Sequence, residues 1–317
     1  MAIEKYSTLL LRPGQGKKIA KGKILTATNQ AAGWNSGPYP QNTERIIERK
    51  ILVQQPFNTF GGPQGLFRGL VSYWKLDDPA NGTRVDSIGP NNLTDALANV
   101  GQNNNGGIAC TPKPGFVACA GGFAQVSNSS RLFITDAAQV GLGAGAGKSF
   151  TISLWTFAQS GSTGAHVMGK FSPTTGLQDY GMVVNQVAGP FWYYNWTAFN
   201  LAGTQIVLDP SGSGNSNYRE AGAAWAMMVF GYDDATQSLH LTMGPDLANN
   251  YPAFTTPCVG VRKTACDFQL GSLGFGGGTL GWWGSLDECG FWNRKLTAAE
   301  VAKLFNSGAG LPLSQFS

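Results

Sequence analysis

Apolar and polar positions alternate through "SFTISLWTF" (149–157): Phe150, Ile152 and Leu154 fall on one side of an extended chain, Thr151, Ser153 and Trp155 on the other. Period-two alternation marks a β-strand with two distinct faces. "AAWAMMVFGYDDATQSLHLTMG" (223–244) predicts a hairpin turning at Asp233-Asp234-Ala235-Thr236. Its return strand sets Leu239, Leu241 and Met243 against Ser238, His240 and Thr242, so His240 is expected on a solvated face. "FWYYNW" (191–196), as a strand, turns Trp192, Tyr194 and Trp196 one way and Phe191 and Tyr193 the other.

The period becomes helical only near the end, in "GSLDECGFWNRKLTAAEVAKLFNSG" (284–308). Thr297 is a candidate N-cap, and Glu300 three residues on completes a capping box. Leu296 is placed to staple onto Val301, while Val301, Leu304 and Phe305 share a face. "NSG" at 306–308 supplies the stop, Gly308 being free to take a positive φ. So short a helix does not persist alone in water. It is expected to dock on the sheets, covering an open end of a sandwich.

Residues 1–65 read differently. Three short apolar runs, "YSTLLL", "KILTAT" and "RIIERKILVQQ", are separated by Pro- and Gly-rich breaks. None has enough apolar face to fold by itself. The expected organisation is an extended N-terminal arm (1–65), shaped by whatever it lies against, followed by a folded domain (66–317).

Composition sharpens this picture. The chain holds 44 Gly in 317 residues and only 13% charged residues, which suits many short strands, tight turns and a surface wetted by amides and hydroxyls. Its 42% hydrophobic content argues against disorder. Of the net +4, residues 1–60 carry nine Lys/Arg and three Glu, or +6, leaving −2 for residues 61–317. That split disfavours nucleic acid as a partner of the folded body. No run approaches the ~18 apolar residues of a membrane span. "YSTLLL" is shorter than a signal-peptide core, so the chain is expected either to bypass Sec export or to have lost a leader.

Five cysteines leave alternatives open. Cys110/Cys119 and Cys258/Cys266 are spaced for local disulfides, or remain reduced and partly buried; Cys289 stands apart. No Cys/His grouping has zinc spacing, and two histidines, His166 and His240, offer little base chemistry. The carboxylate pairs Asp77-Asp78, Asp233-Asp234 and Asp287-Glu288 are adjacent, so on a regular strand the two members face opposite ways. They cannot flank one glycosidic bond as a glycosidase requires. No G-x-S-x-G elbow occurs either. The expectation is a protein that is not an enzyme.

Six segments, in order, resemble the laminin-G-like, concanavalin A-type jelly-roll family: "GLVSYWKLDD" (69–78), "RVDSIGPNNLT" (84–94), "GGFAQVSNSSRLFI" (121–134), "SFTISLWTF", the 223–244 hairpin and the 284–308 strand and helix. The resemblance implies an all-β, two-sheet antiparallel sandwich with a short C-terminal helix, preceded here by the extended arm. Relatives include glycan-binding modules, adhesion domains, glycosidases and domains displayed on phage particles. In similar domains a final-strand Asp meets early-loop residues around calcium. Here Asp287 would join Asp77, Asp86 and Asn91, the alternative being an Asp bonded to backbone amides of a neighbouring turn. No other cofactor is expected.

Trp192, Tyr194, Asn195, Trp196 and Trp282 are candidates for a sugar-stacking platform, with core or subunit packing as the alternative. The favoured reading is a structural protein of a phage or similar virion. Residues 1–65 anchor it to neighbouring subunits in a homo-oligomeric assembly, and the jelly roll is displayed towards host glycans. A secreted or cell-surface carbohydrate-binding module, extracellular rather than on a virion, is the alternative.

Overall fold

The computed structural model describes residues 65–317 except 79–81, 97–120, 124–130, 159–163, 173, 187–190, 211–219, 222–224, 245–247, 249, 273–280 and 283. The expected arm, Cys110 and Cys119 lie outside the described residues.

The alternating segments form two antiparallel sheets. The first runs, in spatial order, β1 (Leu70–Trp74), β15 (Gly284–Trp292), β5 (Phe150–Ala158), β11 (Trp225–Asp233), β12 (Ser238–Met243) and β13 (Phe254–Pro257), with β3 (Gly121–Phe123) also paired to β15. The second runs β10 (Glu220–Ala221), β8 (Phe191–Phe199), β7 (Gln178–Gln186), β6 (Ala165–Phe171), β14 (Asp267–Leu270), β4 (Leu132–Ile134) and β2 (Thr94–Asp95), with β9 (Gln205–Leu208) beside β8. The 223–244 hairpin forms as read, Phe230 opposite Leu241 and Asp233 opposite Ser238.

Inward residues of the two sheets interlock into one core. Phe150, Ile152 and Leu154 of β5 belong to it, as do Leu239, Leu241 and Met243 of β12. Aromatic rings bridge the layers: Phe230 lies 4.5 Å from Trp196, Phe150 5.0 Å from Tyr180, and Trp74 stacks on Phe268 at 5.1 Å between centroids.

A second core covers the outer face of the first sheet. Tyr73, Trp155, Met227, Val229 and Trp292 pack there against Val301, Leu304 and Phe305 of α1 (Ala298–Phe305) and against Leu311 and Phe316 of the tail. The helix therefore caps a sheet face, not an open end of the sandwich. The reason is visible in β5 and β11: their outward positions include Trp155, Met227 and Val229, which need cover as much as the inward ones do. Gly290 makes room for this layer, because a Cβ there would stand 2.5 Å from the Trp292 ring.

His240 is corrected by the same finding. It lies on the covered face, fully buried, with Nδ1 3.2 Å from the Tyr251 hydroxyl. Burial, reinforced by the positive charge of Lys295, drives its pKa down to about 3.

The helix start follows the expected capping box: the Thr297 hydroxyl accepts from the Glu300 amide, and the Glu300 carboxylate accepts from the Thr297 amide at 2.9 Å. Its stop begins earlier than Gly308, with Asn306 (φ 46°) and Ser307 (φ 52°) already left-handed. Asn tolerates that region better than most side chains. The Cys258 and Cys266 thiols are free, Cys258 donating to the Gly260 carbonyl and Cys266 lying 3.0 Å from the Thr264 hydroxyl.

Candidate functional site

The proposed aromatic platform resolves into interior residues wherever its side chains are described. Trp196 is fully buried, its indole N–H donating to the Gly231 carbonyl at 3.2 Å. Tyr194 is buried with its hydroxyl 3.1 Å from Thr156 Oγ1, and the buried Trp282 ring lies 6.3 Å from the Tyr194 ring. A ring that stacks on sugar must show a face to solvent, so these three are core residues and not a platform. Asn195, half-buried, sits between Tyr194 and Trp196 on β8 and so faces away from that core. The Trp192 backbone pairs with Gln186 and Glu220, while its side chain lies outside the described residues.

The acidic residues also take particular roles. Asp86 accepts backbone amides from Tyr73, Ile88 and Asn91 at 3.0–3.1 Å. Asn91 donates to Ser72 Oγ and the Val140 carbonyl and accepts the Val140 amide. Asp86 ties the loop after β1 back to β1, and Asn91 ties it to Val140, so their oxygens serve as turn clamps. Asp77 is half-buried beyond β1. Among the described residues, no three His, Cys, Asp or Glu side chains gather in a group able to hold a metal ion.

Asp287 and Glu288 do not face opposite ways. Leu286 and Cys289 both point into the inter-sheet core, and the ladder to β5 shifts between Asp287 and Gly290. Glu288, at φ 48°, is the pivot of this β-bulge. Both carboxylates thus fall on the outer side, near Tyr73, whose hydroxyl bonds Glu288. Neither can serve a glycoside: Asp287 is fully enclosed and Glu288 only 7% exposed.

Burial, with the nearby Asp77 charge adding to it, pushes Glu288 up to about 7 against the pull of the Tyr73 hydrogen bond and Lys75. A carboxyl raised on folding favours the native state while protonated and disfavours it as pH climbs from its unfolded value through about 7. Glu288→Gln is therefore expected to flatten the pH dependence and to gain about 3 kcal/mol near pH 8. Urea titrations of both proteins at pH 5 and pH 8 check this, equal gains at the two values being the contrary result.

The concavity with polar chemistry lies elsewhere, at the end of the sandwich where β5 begins and β6 and β15 finish. It is a cleft of about 590 Å³. Its walls come from the 136–149 segment, Lys170 at the end of β6, Lys263 before β14, and Asn293, Arg294 and Lys295 between β15 and α1. Lys170 is fully buried at its base, 3.3 Å from Asp136 and 3.9 Å from Asp179. Asp179 also accepts the Thr264 amide and hydroxyl, at 2.9 and 2.7 Å.

At the rim, Arg294 forks onto Glu300, with Nη1 2.8 Å and Nη2 2.5 Å from the two carboxylate oxygens. Because Glu300 is also the capping-box residue, the helix start aims this guanidinium. Lys295 Nζ pairs with Asp233 at 2.8 Å. The Gln139 amide donates to Asp136 and to the Cys266 carbonyl, while its enclosed Oε1 has no partner among the described residues. Such a cleft can hold a polyhydroxylated or anionic group. Sequence reading missed it. The one local signal was "GLGAGAGKS" (141–149), a glycine run ending in Lys148 and Ser149.

No family model and no curated protein matches this chain. Solved structures do. The binding domain of Paraclostridial Mosquitocidal Protein 1 superposes with a TM-score of 0.50 at 14% identity, over 76% of this chain and 52% of that one. Domain 4 of AbnA, a GH43 extracellular arabinanase from Geobacillus stearothermophilus solved with arabinotriose, gives 0.43 at 16% identity, over 74% and 96%. The botulinum neurotoxin serotype G binding domain gives 0.47 at 12%, over 74% and 50%. The chain spans about half the length of the first of these. At 14% identity, the likeness to the first of these shows a shared β-sandwich fold.

Proposed function

We propose that residues 66–317 are a non-catalytic recognition module that binds glycan in the cleft beside the start of β5, and that residues 1–65 attach it to neighbouring subunits of a phage or similar particle. The observation that carries the first part is the cleft itself: charged, amide and hydroxyl side chains converge on a concavity, while Tyr194, Trp196 and Trp282 are buried in the core and Asp86, Asn91 and Asp287 are buried as well. Binding sites combine a shaped hollow with a few fixed polar groups. The sandwich likeness to the binding domain of Paraclostridial Mosquitocidal Protein 1 fits this reading.

Display on a particle is supported by the basic, Pro- and Gly-broken first sixty residues, which lack the apolar faces of a self-sufficient fold. A glycan array probed with the full chain tests recognition; an array without a hit counts against it. Co-expression with candidate particle proteins, followed by particle-size measurement with and without residues 1–60, tests display. Incorporation that survives the deletion would argue against the arm.

A further inference from the structure

We infer that the group gripped in the cleft is a fixed negative charge on a saccharide, a carboxylate or a sulfate ester, held by Lys148 and Lys263 across the glycine segment 143–145. This rests on the glycan reading of the same cleft and narrows its ligand class.

The charge inventory points that way. Five cations line the cleft, Lys148, Lys170, Lys263, Arg294 and Lys295, against one lining carboxylate, Asp136. Three of the five are neutralised in place, Lys170 by Asp136 and Asp179, Arg294 by Glu300, and Lys295 by Asp233. Those pairs fix the walls. Lys148 and Lys263 are exposed and, among the described residues, form no ion pair. Two uncompensated ammonium groups in a concavity raise its potential and draw anions towards it.

Geometry puts both lysines on one short stretch. A Cβ built at Gly143 would lie 3.5 Å from Lys263 Cε and 4.0 Å from its Nζ. One built at Gly145 would lie 3.9 Å from Lys263 Cβ and 4.0 Å from Lys148 Cδ. The stems therefore flank the same backbone, where the two glycines stand on either side of the core residue Ala144 and add no side chain of their own. Thr264, locked to Asp179, anchors the base of Lys263.

A lone inorganic ion is too small for the hollow, whose volume of about 590 Å³ falls in the range of organic-ligand sites. Gln139, Ser149 and Asn293 line the remainder with partners for hydroxyl groups. Nucleic acid is a poor fit, because residues 61–317 carry a net −2 and an extended basic stripe is what a phosphodiester chain needs.

The test is the full chain on an array of matched carboxylated, sulfated and neutral oligosaccharides, followed by calorimetry on the best ligand at low and high salt. Anionic members are expected to bind about tenfold or more tightly than their neutral counterparts. Lys148→Ala/Lys263→Ala should erase that margin by lowering the affinity for the anionic members, and Lys148→Arg/Lys263→Arg should retain it. A preference for carboxylated or for sulfated members identifies the source of the charge. Equal binding of neutral members overturns the anionic assignment and leaves the glycan reading standing. No binding by any saccharide sinks both. Inorganic sulfate binding as tightly as a sulfated saccharide overturns the saccharide part.

Discussion

Trp196→Ala will cost about 3–5 kcal/mol of folding stability, the range for emptying a large aromatic site in a packed core. The ring is fully enclosed, 4.5 Å from Phe230 and 5.5 Å from Tyr180, so its loss leaves a void between the sheets. The substitution also removes the indole N–H that the Gly231 carbonyl accepts. Chemical denaturation should show a lower midpoint with an unchanged slope. A sugar-stacking tryptophan would behave in the opposite way, losing glycan affinity while the midpoint stayed put.

Lys170→Ala should be of similar size, about 3–5 kcal/mol, for an electrostatic reason. Its ammonium lies fully buried, 3.3 Å from Asp136 and 3.9 Å from Asp179, and removal leaves the enclosed Asp179 with Arg262, at 3.9 Å, as its remaining cation. Burial already pushes the Asp179 carboxyl above its ordinary value, opposed by the Thr264 hydrogen bonds and by Lys170. Without Lys170 that rise grows. A raised carboxyl stabilises the fold while protonated and stops doing so as pH climbs through its folded value. The loss in Lys170→Ala is therefore expected to be greater at pH 8 than at pH 5, and Asp136→Asn/Asp179→Asn in the same background should recover part of it. A deficit independent of pH would mean that lost packing, not unpaired charge, dominates.

Much of the sandwich was legible because alternation is a local signal. Phe150, Ile152 and Leu154 alternate in sequence and meet the core in space, and the capping box at Thr297–Glu300 is complete within four residues. Alternation separates two faces but does not say what covers each. Hence Tyr194 and Trp196 were correctly placed on one side of a strand, yet whether that side met solvent or the second sheet depended on strands far away in sequence. His240 was misjudged for the same reason, its polar row being roofed by the segment bearing Tyr251. The Asp287–Gly290 bulge left no mark at all, because Glu288 carries none of the glycine or asparagine preference that announces a left-handed residue.

The cleft was the least visible feature. Lys148, Lys170, Lys263 and Arg294 are far apart in the sequence, and the shared end of β5, β6 and β15 brings them together.

The most direct test follows backbone amide shifts of the full chain as a bound oligosaccharide is added. Perturbations confined to 136–149, 170, 263 and 293–295 are the expected result. Perturbations centred on 191–199, with the cleft silent, would contradict the account.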